Sequence, residues 1–278
     1  MKTILVPVDF SATARNCALY AAGLAQWMGI KKLILFNAYS IPLATEMSWA
    51  VLQTEELRKY SEDGLQEFKN LMAPILGDGV EIQLYSEFGF LSERIEAVCK
   101  ETNSDMIVMG ITGGGKLEEV LIGSNTTHIL RHTHVPVLIV PPDARWKPVL
   151  TIGWACDYKD ILKTTPAEAI REFVQQFHSK FVIVHNDPDP KAFDPEKFRN
   201  NVMVSEMLHQ LTPEFVNVSE DHFSDAINHF VEDYKVDMLL VIPKKQSWIE
   251  SVLHPSHTRQ LAFHSHVPLV CLQALPAS

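Results

Sequence analysis

Asp105-Met-Ile-Val-Met109-Gly110-Ile-Thr-Gly113, followed after nine intervening residues by Gly123-Ser124, is the stretch on which the fold turns. A short apolar run after an acid reads as a strand buried on both faces. The glycine loop behind it leads to a hydroxyl at a helix start. Glycines let backbone N–H groups come close to an anion, and the helix start adds unpaired donors at the positive end of its dipole. Gly110, Gly113, Gly123 and Ser124 therefore predict a phosphate-holding loop, and the ligand expected is a nucleotide. The same residues nearly spell Gly-x4-Gly-Lys-[Ser/Thr] over Gly110 to Leu117. Leu117 cannot ligate Mg²⁺, and the loop follows a late strand, so a P-loop NTPase is not the reading.

Outward from this stretch, strands and helices alternate. Thr3 to Val8 reads as the first strand, Phe10 to Met28 as a helix with Ser11 as its N-cap, and Lys32 to Ala38 as the second strand. A helix over Thr45 to Leu76, a strand over Val80 to Tyr85 and a helix face at Leu91, Ile95, Val98 and Cys99 follow. Ser124 to His132 reads as helix and Val135 to Val140 as the fifth strand. Pro141 to Pro148 breaks the pattern as a linker. The order then recurs, with strands at Val149, Phe181, Phe215 and Met238 and helices at Pro166, Pro195 and Ser224. The close of the two halves aligns without gaps. Asp105-Met106 meets Asp237-Met238, Ser124 meets Ser256, and His132-Thr-His-Val-Pro-Val-Leu138 meets His264-Ser-His-Val-Pro-Leu-Val270. Two similar domains, 1–142 and 143–278, are predicted, each a parallel, doubly wound α/β sheet with helices on both faces.

A chain of 278 residues with 46% hydrophobic and 21% charged residues is ordinary for a globular protein. Its net charge of −10 divides evenly between the halves and argues against a general nucleic-acid binder. Cys17, Cys99, Cys156 and Cys271 sit in or beside apolar runs without a Cys-x2-Cys pair, so they read as buried thiols in a reducing compartment. No run is long enough for a membrane span, and the expected location is cytoplasmic. His254, His257, His264 and His266 have a metal-like spacing, but His132 and His134 recur at the matching place in the first half, so they read as features of the fold and no metal site is predicted.

Taken together these motifs resemble the universal stress protein family in tandem form. The resemblance rests on Ile4-Leu-Val-Pro-Val-Asp9-Phe-Ser11, on Gly110, Gly113 and Gly123-Ser124, and on His134-Val-Pro-Val-Leu-Ile-Val140, and it extends through both halves. It implies five-stranded sheets in the order 3-2-1-4-5 and ATP across the carboxyl ends of strands 1 and 4, with Mg²⁺ left open. By position, Pro7, Val8 and Asp9 would border adenine and ribose, and Ala38 would line the base pocket. Met109 and Gly110 would flank the ribose and first phosphate, while Gly113, Gly123, Ser124 and Asn125 would hold the phosphate chain. It also implies stress-related sensing or regulation through unknown protein partners. Pairing through the closing strand would make the two halves an intramolecular pseudo-dimer, with homodimers as a further option.

In the second half Asp157 resembles Asp9, but Ile242, Lys245 and Pro255 replace Gly110, Gly113 and Gly123. Side chains crowd a phosphate and proline offers no N–H, so one ATP per chain is expected. Two rival functions stand beside this. A slow ATPase or autophosphorylating protein would need a general base near the γ-phosphate, and the sequence offers Ser124, Lys116 and Asp9 without one. A nucleotide-independent interaction module would draw on the altered second half.

Overall fold

The computed structural model describes residues 1–41, 47–111, 124–156, 158, 160–186, 194–219, 223–242 and 267–275. The chain divides into two compact units, one containing Met1–Thr112 and Gly123–Trp146 and the other containing Lys147–Ser278.

The first unit runs β1 (Thr3–Pro7), α1 (Ala12–Met28), β2 (Lys32–Tyr39), α2 (Met47–Leu76), β3 (Glu81–Phe88), α3 (Leu91–Thr102), β4 (Met106–Gly110), α4 (Ser124–His132) and β5 (Val137–Val140). Its strands are parallel and ordered β3-β2-β1-β4-β5. β1 and β5 are buried along their whole length, as continuous apolar runs covered on both faces require. Ser11 is the N-cap of α1, its hydroxyl accepting the Ala14 N–H at 3.1 Å, and Gly29 ends the helix at φ 65°.

The second unit repeats the plan with β6 (Thr151–Ala155), a short α5 (Ile161–Thr164), α6 (Ala167–Phe177), β7 (Lys180–Asn186), α7 (Pro195–Met207), β8 (Glu214–Val218), α8 (Phe223–Asp233), β9 (Met238–Val241) and β10 (Leu269–Cys271). Its parallel order is β8-β7-β6-β9-β10, the same 3-2-1-4-5 sequence of strands.

The repeated residues explain the repeated fold. Asp105 Oδ2 accepts the N–H groups of Lys2 and Thr3, and Asp237 Oδ2 accepts those of Leu150 and Thr151. In each unit an acid ahead of the fourth strand thus fastens the start of the first. Asn37 Nδ2 donates to the Val8 carbonyl at 2.7 Å, and His185 Nδ1 meets the Cys156 carbonyl at 2.9 Å. A carbonyl only accepts, so the His185 proton sits on Nδ1.

The segment read as a linker is in part a packed element of the first unit. Asn16 Nδ2 donates to the Pro141 and Ala144 carbonyls, and Arg145 donates to Asn16 Oδ1 at 2.6 Å. Trp146 meets Tyr20 edge-on and lies tilted against Trp27. A Cβ at Gly23 would stand 2.2 Å from the Trp146 ring, so the glycine makes the notch in which the indole sits. The indole thus covers Tyr20, and α1 buries more than the single face predicted, with Ala18 and Ala22 also buried on the side away from Trp146. Among the described residues no helix is long and apolar enough to cross a membrane.

Candidate functional site

In the first unit the carboxyl ends of the strands frame a cavity of about 320 Å³, the lower end of the size range of small-molecule sites. It opens where the strand order reverses between β1 and β4, the crevice in which open α/β sheets bind ligands. Pro7, Val8 and Asp9 come from the end of β1 and the residues just past it, Asn37 and Ala38 from β2 with Ser40 just beyond it, and Met109 and Gly110 from β4. Ser11, Thr13 and Ala14 add the first turn of α1, Asn125 and Thr126 that of α4, and Gly89, Phe90 and Leu91 the β3–α3 connection.

The chain reverses sharply to put Asp9 there. Phe10 adopts φ 65°, a left-handed conformation that costs an L-residue roughly 1–2 kcal/mol. Its ring offsets that cost by meeting Tyr60 and Phe68 edge-on. It also lies where a Cβ on Gly64 would come within 2.6 Å, which accounts for a glycine inside α2. With Phe10 held on α2, Asp9 stays exposed and its Oδ1 accepts the Ser11 N–H at 3.0 Å. Oδ2 accepts no hydrogen bond from the described residues. The contact with the Ser11 N–H and the ligand role of Asp9 are therefore compatible, since each uses a different oxygen.

Gly110 has a reason of its own. A Cβ there would lie 3.0 Å from Thr13 Cγ2 and 3.2 Å from the Thr13 carbonyl oxygen. The glycine lets β4 approach the first turn of α1, so its presence alone does not argue for a phosphate. Beneath, Cys17 is fully buried, and burial, with the Asp9 carboxylate adding to it, pushes its thiol up and keeps it neutral. It offers no nucleophile.

Of the residues singled out from the sequence, Pro7, Val8, Asp9, Ala38, Met109, Gly110 and Asn125 come together around this one cavity. Ser124 begins α4. Gly113, Gly123 and the Ser124 side chain lie outside the described residues, as do Lys116, Asp157, Lys245, Pro255 and the histidines at 254, 257, 264 and 266. Sequence reasoning missed Thr13, Asn37, Ser40 and the Gly89–Leu91 connection. Asn37 had a legible signal, a polar residue at the end of an otherwise apolar strand. Phe90 had none, because only the sheet order carries the end of β3 to the cavity.

The corresponding place in the second unit is arranged differently. Tyr158, the counterpart of Phe10, is also left-handed at φ 56°. Its ring lies 4.5 Å from that of His185, the counterpart of the cavity-lining Asn37, and its hydroxyl donates to Asn201 of α7. Burial raises the Tyr158 phenol above its ordinary range, so it remains a donor. Ile242, in the place of Gly110, is buried.

The sequence model of the universal stress protein family matches residues 1–141. Among curated relatives, a universal stress protein of Methanocaldococcus jannaschii is 28% identical over 142 residues, spanning 50% of this chain and 81% of its own. Universal stress protein G of Escherichia coli O157:H7 is 28% identical over 143 residues, 50% of this chain and 98% of its own. Among solved structures, a universal stress protein from Archaeoglobus fulgidus matches at a TM-score of 0.69 and 18% identity, covering 98% of this chain and 96% of that one. At that identity the likeness is one of fold.

Proposed function

The chain belongs to the universal stress protein family, and from that we propose that its first unit is an adenine-nucleotide receptor serving a stress-response regulatory role. The observation that carries this reading is the cavity at the strand-order reversal, lined by Asp9, Ala38, Met109, Gly110 and Asn125. Its chemistry is graded in the way a nucleotide needs. The Asp9 carboxylate accepts from ribose hydroxyls or an adenine amine and would repel phosphate. Backbone N–H groups at the start of α4, a helix of nine residues, suit the phosphate end. Gly113, Gly123 and Ser124 complete that end in this reading, and ATP is the nucleotide.

The domains of this reading are those predicted as residues 1–142 and 143–278, with the packed Ala144–Trp146 going with the first and the second a scaffold or docking surface. Tyr158 covering His185, and Ile242 in the place of Gly110, favour one nucleotide per chain. Denaturing the purified protein and identifying the released nucleotide by mass tests both points. Adenine nucleotide at one per chain, with a matching calorimetric stoichiometry for ATP, is the expected result. No adenine nucleotide bound or accepted, or two equivalent sites, refutes it.

A further inference from the structure

Among the described residues Phe90 has the one large aromatic ring in the cavity lining, and no ring contact within them uses it. It is 51% exposed and has no ring partner among the described residues, whereas its equally exposed neighbour Phe88 packs edge-on against Tyr39. Its backbone is nevertheless firmly held. Gly89 takes φ 135°, a conformation reserved for glycine, and donates its N–H to the Tyr39 carbonyl at 2.8 Å. The Phe90 carbonyl accepts the N–H groups of Glu93 and Arg94 as α3 begins, and Arg94 is held to Glu87 at 2.7 Å. A rigid connection thus presents an unpartnered aromatic ring at the cavity.

The place of that ring in the sheet gives the cavity a direction. β3 and β4 are separated by three strand spacings, roughly 14 Å at about 4.8 Å each. The start of α4 and the backbone at Gly110 occupy the β4 end and favour an anion. The β3 end holds Phe90 and Leu91 and favours a flat apolar group. Asp9 and Asn37 lie between them, at the ends of β1 and β2, level with a ribose.

We propose that Phe90 is the base-binding residue of this site, its ring stacking on the nucleobase and ranking purines above pyrimidines. The proposal rests on the nucleotide reading of the cavity. Stacking draws on the area of the π-face, so it is tolerant in kind and favours the larger base.

The test is calorimetry on the full chain with ATP, adenosine and ribose 5-phosphate, for the wild type, Phe90→Ala and Phe90→Trp. Expected for Phe90→Ala is about a ten-fold loss of affinity for ATP and adenosine alike, with ribose 5-phosphate unchanged. Phe90→Trp keeps the affinity. Adenine proton resonances move upfield on binding to the wild type and not on binding to Phe90→Ala. The ring is half exposed, so the melting temperature stays unchanged. If the wild type takes ATP and Phe90→Ala takes it equally well, or loses all three ligands together, Phe90 is not the stacking residue while the nucleotide site stands. If the wild type takes neither ATP nor adenosine, both readings fall.

Discussion

Removing the Asp237 carboxylate should loosen the second unit in a way that can be located. Its Oδ2 accepts the N–H groups of Leu150 at 2.9 Å and Thr151 at 3.0 Å, and its Oδ1 meets Lys147 Nζ at 2.7 Å. The ion pair counts for less than about 1 kcal/mol, because Lys147 is 61% exposed. The Leu150 N–H also counts for little, since Leu150 is 68% exposed and water can replace the acceptor. Thr151 is buried, and leaving its N–H unmet costs roughly 1–3 kcal/mol. Asp237→Ala should therefore destabilise the start of β6 by about 1–4 kcal/mol. That is a rise of roughly 5- to 700-fold in the opening equilibrium. Hydrogen exchange of the Thr151–Ala155 amides reads this directly. Asp237→Asn, which keeps an acceptor of the same shape, should cost about 1 kcal/mol. Wild-type exchange at β6 in Asp237→Ala would refute the idea that this repeated acid serves the fold. The partner test is Asp105→Ala, milder because Asp105 is exposed, with faster exchange confined to β1.

Three other outcomes are expected. Gly110→Val should lower the stability of the first unit by roughly 1–3 kcal/mol in urea titrations without nucleotide, because the added side chain meets Thr13; unchanged stability with lost ATP binding would mean the glycine serves only the ligand. Gly23→Ala should expel Trp146 from its notch and speed tryptic cleavage after Arg145, and an unaltered cleavage rate would show that the indole is not seated there. Burial pushes the Cys99 and Cys271 thiols up to about 12 from 9.0, so the folded chain holds these protons more tightly than the unfolded one. Their contribution is whole below pH 9.0 and is lost as pH rises toward 12, which alkaline unfolding curves should show, with no alkylation of the native protein at pH ~8.

Much of this was legible before any coordinates. Apolar runs bounded by acids and glycines locate strands, because a strand covered on both faces needs continuous hydrophobicity whatever its neighbours are. α4 spans the same residues, Ser124–His132, as its pattern predicts, and Ser11 caps α1 as its position before an apolar-periodic stretch requires. The alignment of Asp105 with Asp237 marks a repeat, and the hydrogen bonds supply its cause. In the sequence Gly110 reads as a ligand residue, yet its contact partner Thr13 lies almost a hundred residues away, out of reach of any local pattern.

Local sequence, then, determined the elements, their alternation, the repeat and the candidate residues at strand ends, since these depend on the chemistry of neighbouring positions. Tertiary structure alone decided which ends share a cavity. The order β3-β2-β1-β4-β5 brings Phe90 to the same crevice as Asp9 and Gly110, and the pairing of β6 with β7 sets Tyr158 beside His185 in the other unit. Strand adjacency is set by how whole faces pack, a property no single stretch of chain carries.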